Sequence, residues 1–71
     1  MQLVINGQQK DFPELEANAK ISDLIAVLGL KNDRVAIEHN GDIISRTLWT
    51  ESLLQAGDKL EIVHFVGGGC R

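Results

Sequence analysis

The chain opens on a strand pattern over Gln2 to Ile5 that runs directly into Asn6-Gly7. This dipeptide tolerates the positive φ angles of a two-residue hairpin turn, so a returning strand is expected over Gln8 to Phe12. Pro13 ends it, because a residue without an N–H cannot serve a ladder. Glu14 to Lys20 reads as a polar connection. The period then changes: Ile21, Leu24, Ile25 and Leu28 fall at i, i+3, i+4 and i+7, one apolar stripe on a helix. The helix is predicted over Ser22 to Leu28, with Ser22 as N-cap, Asp23 against the positive end of the dipole and Gly29 as the stop. It is too short to persist alone and needs a sheet to pack on.

A third strand is predicted at Val35 to His39, with Val35 and Ile37 on one face and Ala36 and Glu38 on the other. Asn40-Gly41-Asp42 is a turn, and Ile43 and Ile44 form a brief return. Ser45 to Gln55 reads as irregular or a single helical turn, with Leu48, Trp49, Leu53 and Leu54 as lids over the core. After the turn Ala56-Gly57-Asp58, Lys59 to Val66 is the clearest strand in the chain. This order predicts an α+β fold, a mixed sheet of four to five strands with one helix packed across one face. The predicted division is a folded domain over residues 1–66 and a flexible glycine-rich tail over 67–71.

The 71 residues allow one small domain with a thin core, and the single cysteine provides no disulfide framework. A net charge of −3 argues against a nucleic-acid partner and mildly favours a basic protein. Met1 leads straight into a strand pattern rather than a signal peptide, and no apolar run reaches bilayer length. With a free thiol, this places the expected protein in the cytoplasm, away from membranes.

Conventional catalysis finds no support. His39 and His64 sit in strand patterns as residues with local partners, no Cys or His spacing suits a metal, and no glycine loop leads from a strand into a helix. No catalytic residue and no bound cofactor are expected. In the last strand Leu60, Ile62 and His64 share one face, while Lys59, Glu61, Val63 and Phe65 share the other. If Leu60 and Ile62 face the helix, Val63 and Phe65 face outward, with Val4 and Ala36 on the same side. Apolar residues on an open sheet face mark a partner surface, here Val63, Phe65, Val66 and Val4. Gly67, Gly68 and Gly69 lose heavy entropy on ordering and contribute nothing to a core. A chain end without Cβ atoms can instead thread a narrow channel and present a carboxylate.

The segments Met1-Gln2-Leu3-Val4-Ile5-Asn6-Gly7, Val35-Ala36-Ile37-Glu38 and Gly57 through Gly69 carry a resemblance over nearly the whole chain. The chain resembles the ThiS family of sulfur carriers of thiamin thiazole biosynthesis, within the ubiquitin-like β-grasp proteins. The resemblance implies that an adenylating enzyme similar to ubiquitin-activating enzymes uses ATP and magnesium to activate the terminal glycine carboxylate. A persulfide donor then displaces AMP and leaves a thiocarboxylate, whose sulfur thiazole synthase accepts. The carrier itself is expected to be no enzyme, to bind no cofactor and to be a monomer when free. By the same resemblance Gly68 and Gly69 match the terminal pair, and Gly69 bears the sulfur.

Members of the family normally end at that pair, whereas this chain continues with Cys70 and Arg71. Gly69 therefore cannot be adenylated as the sequence stands. The extension admits three origins: a precursor cut between Gly69 and Cys70 by a metalloprotease, a remnant of cloning, or a persulfide-bearing Cys70. Alternative functions are sulfur delivery to molybdopterin, cysteine or a siderophore-like product, a protein modifier joined through Gly69, and a plain interaction module.

Overall fold

The computed structural model of the chain describes residues 1–31 and 33–65. Val66, Gly67, Gly68, Gly69 and Cys70, which carry the predicted tail and processing site, lie outside the described residues. The elements are β1 (Gln2–Ile5), β2 (Gln8–Asp11), α1 (Ile21–Leu28), β3 (Val35–His39), β4 (Asp42–Ile44), a 3₁₀ turn (Arg46–Leu48) and β5 (Lys59–His64). The five strands form one sheet in the order β2-β1-β5-β3-β4. β1 and β5 are parallel and the other neighbours antiparallel, so the sheet is mixed, as expected.

Both hairpins follow from their turn residues. Asn6 and Gly7 have φ of 51° and 81°, and Asn40 and Gly41 have φ of 52° and 94°. Positive φ at both central positions matches the turn to the twist of the flanking strands. The second turn fixes His39 opposite Asp42 and Glu38 opposite Ile43.

One face of the sheet carries the core. Leu3, Ile37 and Leu60 from three strands meet Ile21 and Leu24 of α1, and these five with Leu54 are the largest fully buried side chains. Each contributes at most about 1.5–3 kcal/mol of apolar transfer. Among the described residues no buried side-chain nitrogen or oxygen lacks a partner.

Four local expectations are corrected. The helix begins at Ile21 with Lys20 as its N-cap, not Ser22. Trp49 O accepts the Ser22 N–H at 3.1 Å and Ser52 O accepts the Ile21 N–H at 3.0 Å, so a crossing backbone satisfies donors that a Ser cap would otherwise take. Asp23 Oδ2 accepts the Lys20 N–H at 2.8 Å, which ties the first turn back to the cap. The connection between β2 and α1 is not wholly polar, because Leu15 and Ala19 are buried under it. Trp49 and Leu54 do close the core, but Leu48 and Leu53 face solvent. β5 ends at His64, short of the predicted Val66, although the Phe65 N–H still donates to Arg34 O at 2.8 Å.

Candidate functional site

β5 lies between β1 and β3 and leads toward the glycine run. Its alternation holds from Lys59 to Val63 and then lapses. Leu60 and Ile62 are buried against the helix side and Val63 is 55% exposed. His64, expected on the inner face with Leu60 and Ile62, is exposed where the strand ends, and Phe65 just beyond it is 57% exposed. Exposed side chains of this size on a regular strand of a small domain are held there at the expense of solubility, which favours a use for them.

Register gathers this face. Ala36 stands opposite Val63, Glu38 opposite Glu61, and Ile43 opposite Glu38. Ile43, 79% exposed, was not singled out as a surface residue from sequence. The signal was available, since the two-residue turn at Asn40-Gly41 places Ile43 on the face of Glu38. Ala36, Ile43 and Val63 line a shallow depression of about 420 Å³ together with Glu38 and Glu61. Two carboxylates directly opposite one another across an antiparallel pair repel. Val4, half-buried, stands beside Lys59, four residues back along β5 from Val63, a separation of about 13 Å. The structure therefore brings Val63 together with Ala36 and Ile43, and sets Val4 apart from them.

On the side toward β1, β5 is held by a ladder that β1 cannot complete. The Val4 N–H donates to Asp58 O and the Asn6 N–H to Leu60 O, both at 2.9 Å. The chain then turns away at Asn6-Gly7. In place of the next peptide, the Asn6 side chain bridges to Ile62: its Oδ1 accepts the Ile62 N–H at 2.7 Å and its Nδ2 donates to Ile62 O at 3.2 Å.

Neither histidine suggests catalysis. His39 Nε2 lies 2.7 Å from Asp58 Oδ2, linking the β3–β4 turn to the turn before β5. Asp58 Oδ2 also accepts the Gln55 N–H at 2.9 Å, and Oδ1 accepts from Asn40 Nδ2 at 3.3 Å. Burial opposes ionisation of Asp58, but the bonds from His39, Gln55 and Asn40 outweigh it and hold the carboxyl below its ordinary value. This cluster reads as a structural tie between two turns. His64 is exposed at the end of β5. Among the described residues no group of three or more His, Cys, Asp or Glu side chains could hold a metal ion. Among them, too, no helix is long and apolar enough to cross a membrane.

A mixed sheet that wraps a single helix, with parallel first and last strands side by side within it, defines a ubiquitin-like β-grasp fold. The chain matches the ThiS family model over residues 3–69, and it belongs to that family. It is similar to the sulfur carrier protein ThiS of Bacillus subtilis, 42% identical over 67 residues, covering 94% of this chain and 98% of that protein. A thiazole synthase of Paramagnetospirillum magneticum is 39% identical over 69 residues, which is 97% of this chain and 20% of the synthase. A second, from Magnetococcus marinus, is 35% identical over 69 residues, so this chain spans about a fifth of the length of both synthases. The crystal structure of a thiamine biosynthesis protein (ThiS) from Geobacter metallireducens superposes with a TM-score of 0.82 at 26% identity, covering 97% of this chain and all of that one.

Proposed function

We propose that the protein is a sulfur carrier of thiamin biosynthesis whose Gly69 carboxylate, freed by removal of Cys70 and Arg71, is adenylated and converted to a thiocarboxylate. The observation that carries this is the course of β5. A strand fixed in the core, with exposed Val63 and Phe65 beside its exit, leads within a few residues to Gly67-Gly68-Gly69. The family match extends to residue 69, and the Bacillus subtilis relative is covered almost end to end.

An adenylating enzyme joins the carboxylate to AMP at the expense of ATP, with magnesium on the released pyrophosphate. A persulfide donor then attacks the acyl carbon and AMP leaves. A second thiol then attacks the donor's sulfur in the resulting acyl disulfide, so that the S–S bond to the carrier breaks, the two thiols end as a disulfide and the thiocarboxylate leaves. Thiazole synthase is the acceptor best supported, because two proteins of that name carry a segment similar to this chain. The carrier contributes the carboxylate, the side-chain-free tail and a docking face of Val63, Phe65, Ala36 and Ile43; Val66 is the next residue in sequence after Phe65, and Val4 lies apart from this face.

The test is the intact mass of the protein from its native host, before and after supply of adenylating enzyme, ATP and a persulfide donor. Loss of Cys70 and Arg71 followed by exchange of one oxygen for sulfur is expected. A mass that never changes refutes the proposal and turns attention to Cys70.

A further inference from the structure

The Asn6 carboxamide has the geometry of a ladder rung. Along β5 and the residue before it, even-numbered residues direct their backbone groups toward β1, with Asp58 and Leu60 bonded by the main chain of Val4 and Asn6. The next groups in the series belong to Ile62, but β1 ends at Ile5 and the hairpin carries the chain away. A carboxamide has one acceptor and one donor in the planar arrangement of a peptide unit, and that of Asn6 meets both groups of Ile62. On the opposite side of β5 the main chain of β3 continues through the pair Val35–His64. The end of β5 is thus held on one side by a strand and on the other by a single side chain, 56 residues away in sequence.

Asparagine at this position also satisfies the turn, where φ is 51°. The turn alone does not account for the second task, since glycine supports the same turn without any side chain. We infer that Asn6 is a positioning residue for the activation of the chain end: its carboxamide replaces a missing peptide unit of β1 and keeps Ile62 to Phe65 in line for the adenylating enzyme. The inference rests on the proposed function, in which that enzyme must receive the exit of β5 in one direction. A strand end that frays is competent only part of the time, and apparent affinity falls by that fraction while the bound complex reacts as before.

The test compares the full-length wild type with Asn6→Gly, which keeps the turn and removes the clamp, and Asn6→Asp, which keeps an acceptor for the Ile62 N–H but lacks the donor. Amide hydrogen exchange by NMR is measured on the free proteins, and kcat and KM for carrier adenylation on the processed ones. In Asn6→Gly the Ile62 amide should exchange about tenfold faster relative to those of Leu24 and Ile37, as expected for a donor stripped of its acceptor, while that of Phe65, which keeps Arg34 O, should accelerate less. KM should rise severalfold with kcat unchanged, and Asn6→Asp should recover part of both. Equal acceleration at Ile62 and Leu24, or an unchanged KM, overturns the inference. Failure of the wild type to be adenylated refutes the proposed function instead, and the exchange data then still decide whether the clamp exists.

Discussion

Truncation of Phe65 to Ala separates a docking residue from a core residue, because the ring is 57% exposed and about two fifths of it rests on the protein. A phenylalanine presents roughly 200 Å² of apolar surface, so the part covered in the free carrier is on the order of 90 Å². At about 25 cal/mol per Å² this is at most ~2 kcal/mol, and nearer ~1.5 kcal/mol once residual burial in the unfolded chain is allowed for. The melting temperature should fall by about 6–12 °C. The remaining ~110 Å² is available to a partner, which makes ring removal worth up to ~3 kcal/mol in docking, or about a hundredfold in Kd. Calorimetric melting of the carrier and titration into the adenylating enzyme proposed above measure the two quantities. Leu60→Ala, at a fully buried position, supplies the contrast, with a loss of about 2–5 kcal/mol. If Phe65→Ala melts as low as Leu60→Ala, or binds with unchanged Kd, the assignment of Phe65 to the docking face is wrong.

Glu61→Gln removes the repulsion with Glu38 across the β3–β5 ladder. It should raise stability by about 0.2–1 kcal/mol in low salt, an increment that fades as ionic strength is raised; no gain at low salt contradicts the pairing. Asp58 ionises more readily in the folded state than its ordinary value of 3.8, so its contribution is complete above that value and disappears as pH falls through the lower folded one. Asp58→Asn should therefore lose about 1–3 kcal/mol at neutral pH, and its urea stability should vary less than that of the wild type below about pH 4. Equal acid sensitivity of the two proteins excludes Asp58 as the source. Gly69→Ala should melt like the wild type yet be adenylated on the order of tenfold or more slowly, as a Cβ displaces the carboxylate in a tight channel. Normal activation of that variant would sink the threading argument.

The parts legible from sequence are those whose signal is local. Asn6-Gly7 and Asn40-Gly41 announce their hairpins because both residues of each pair accept positive φ. The stripe from Ile21 to Leu28 gives the helix, and Gly29 its end at φ 70°. The alternation from Leu60 to Val63 places Val63 outside, and Phe65 follows it, although His64 between them is exposed rather than turned inward. What escaped depends on partners distant in the chain. Leu15 and Ala19 are isolated apolar residues among polar ones, and only the approach of other elements buries them. The helix start was misplaced because the donors that Ser22 could have capped are taken by carbonyls of residues 49 and 52. Leu53 and Leu54 are indistinguishable by composition, yet one is 55% exposed and the other fully buried, according to which way the backbone turns after its bridge to Lys20. The tie between His39 and Asp58 spans 19 residues, and neither motif nor period predicts it.

The central position of β5 also bears on how the molecule comes into being. The first and last strands of the fold are neighbours, with Val4 beside Lys59 and Ile5 beside Leu60. Until β5 has been synthesised, the nascent chain holds two separate hairpins and a helix that share no complete core. The slow step of folding should be closure of this long loop, since its entropy is lost before any contact repays it. Any chain cut short within β5 lacks the middle of its sheet rather than an edge, and is exposed to proteolysis. Closure of the sheet therefore requires translation as far as the strand that leads to the glycine run, and a chain that has folded has already passed that point.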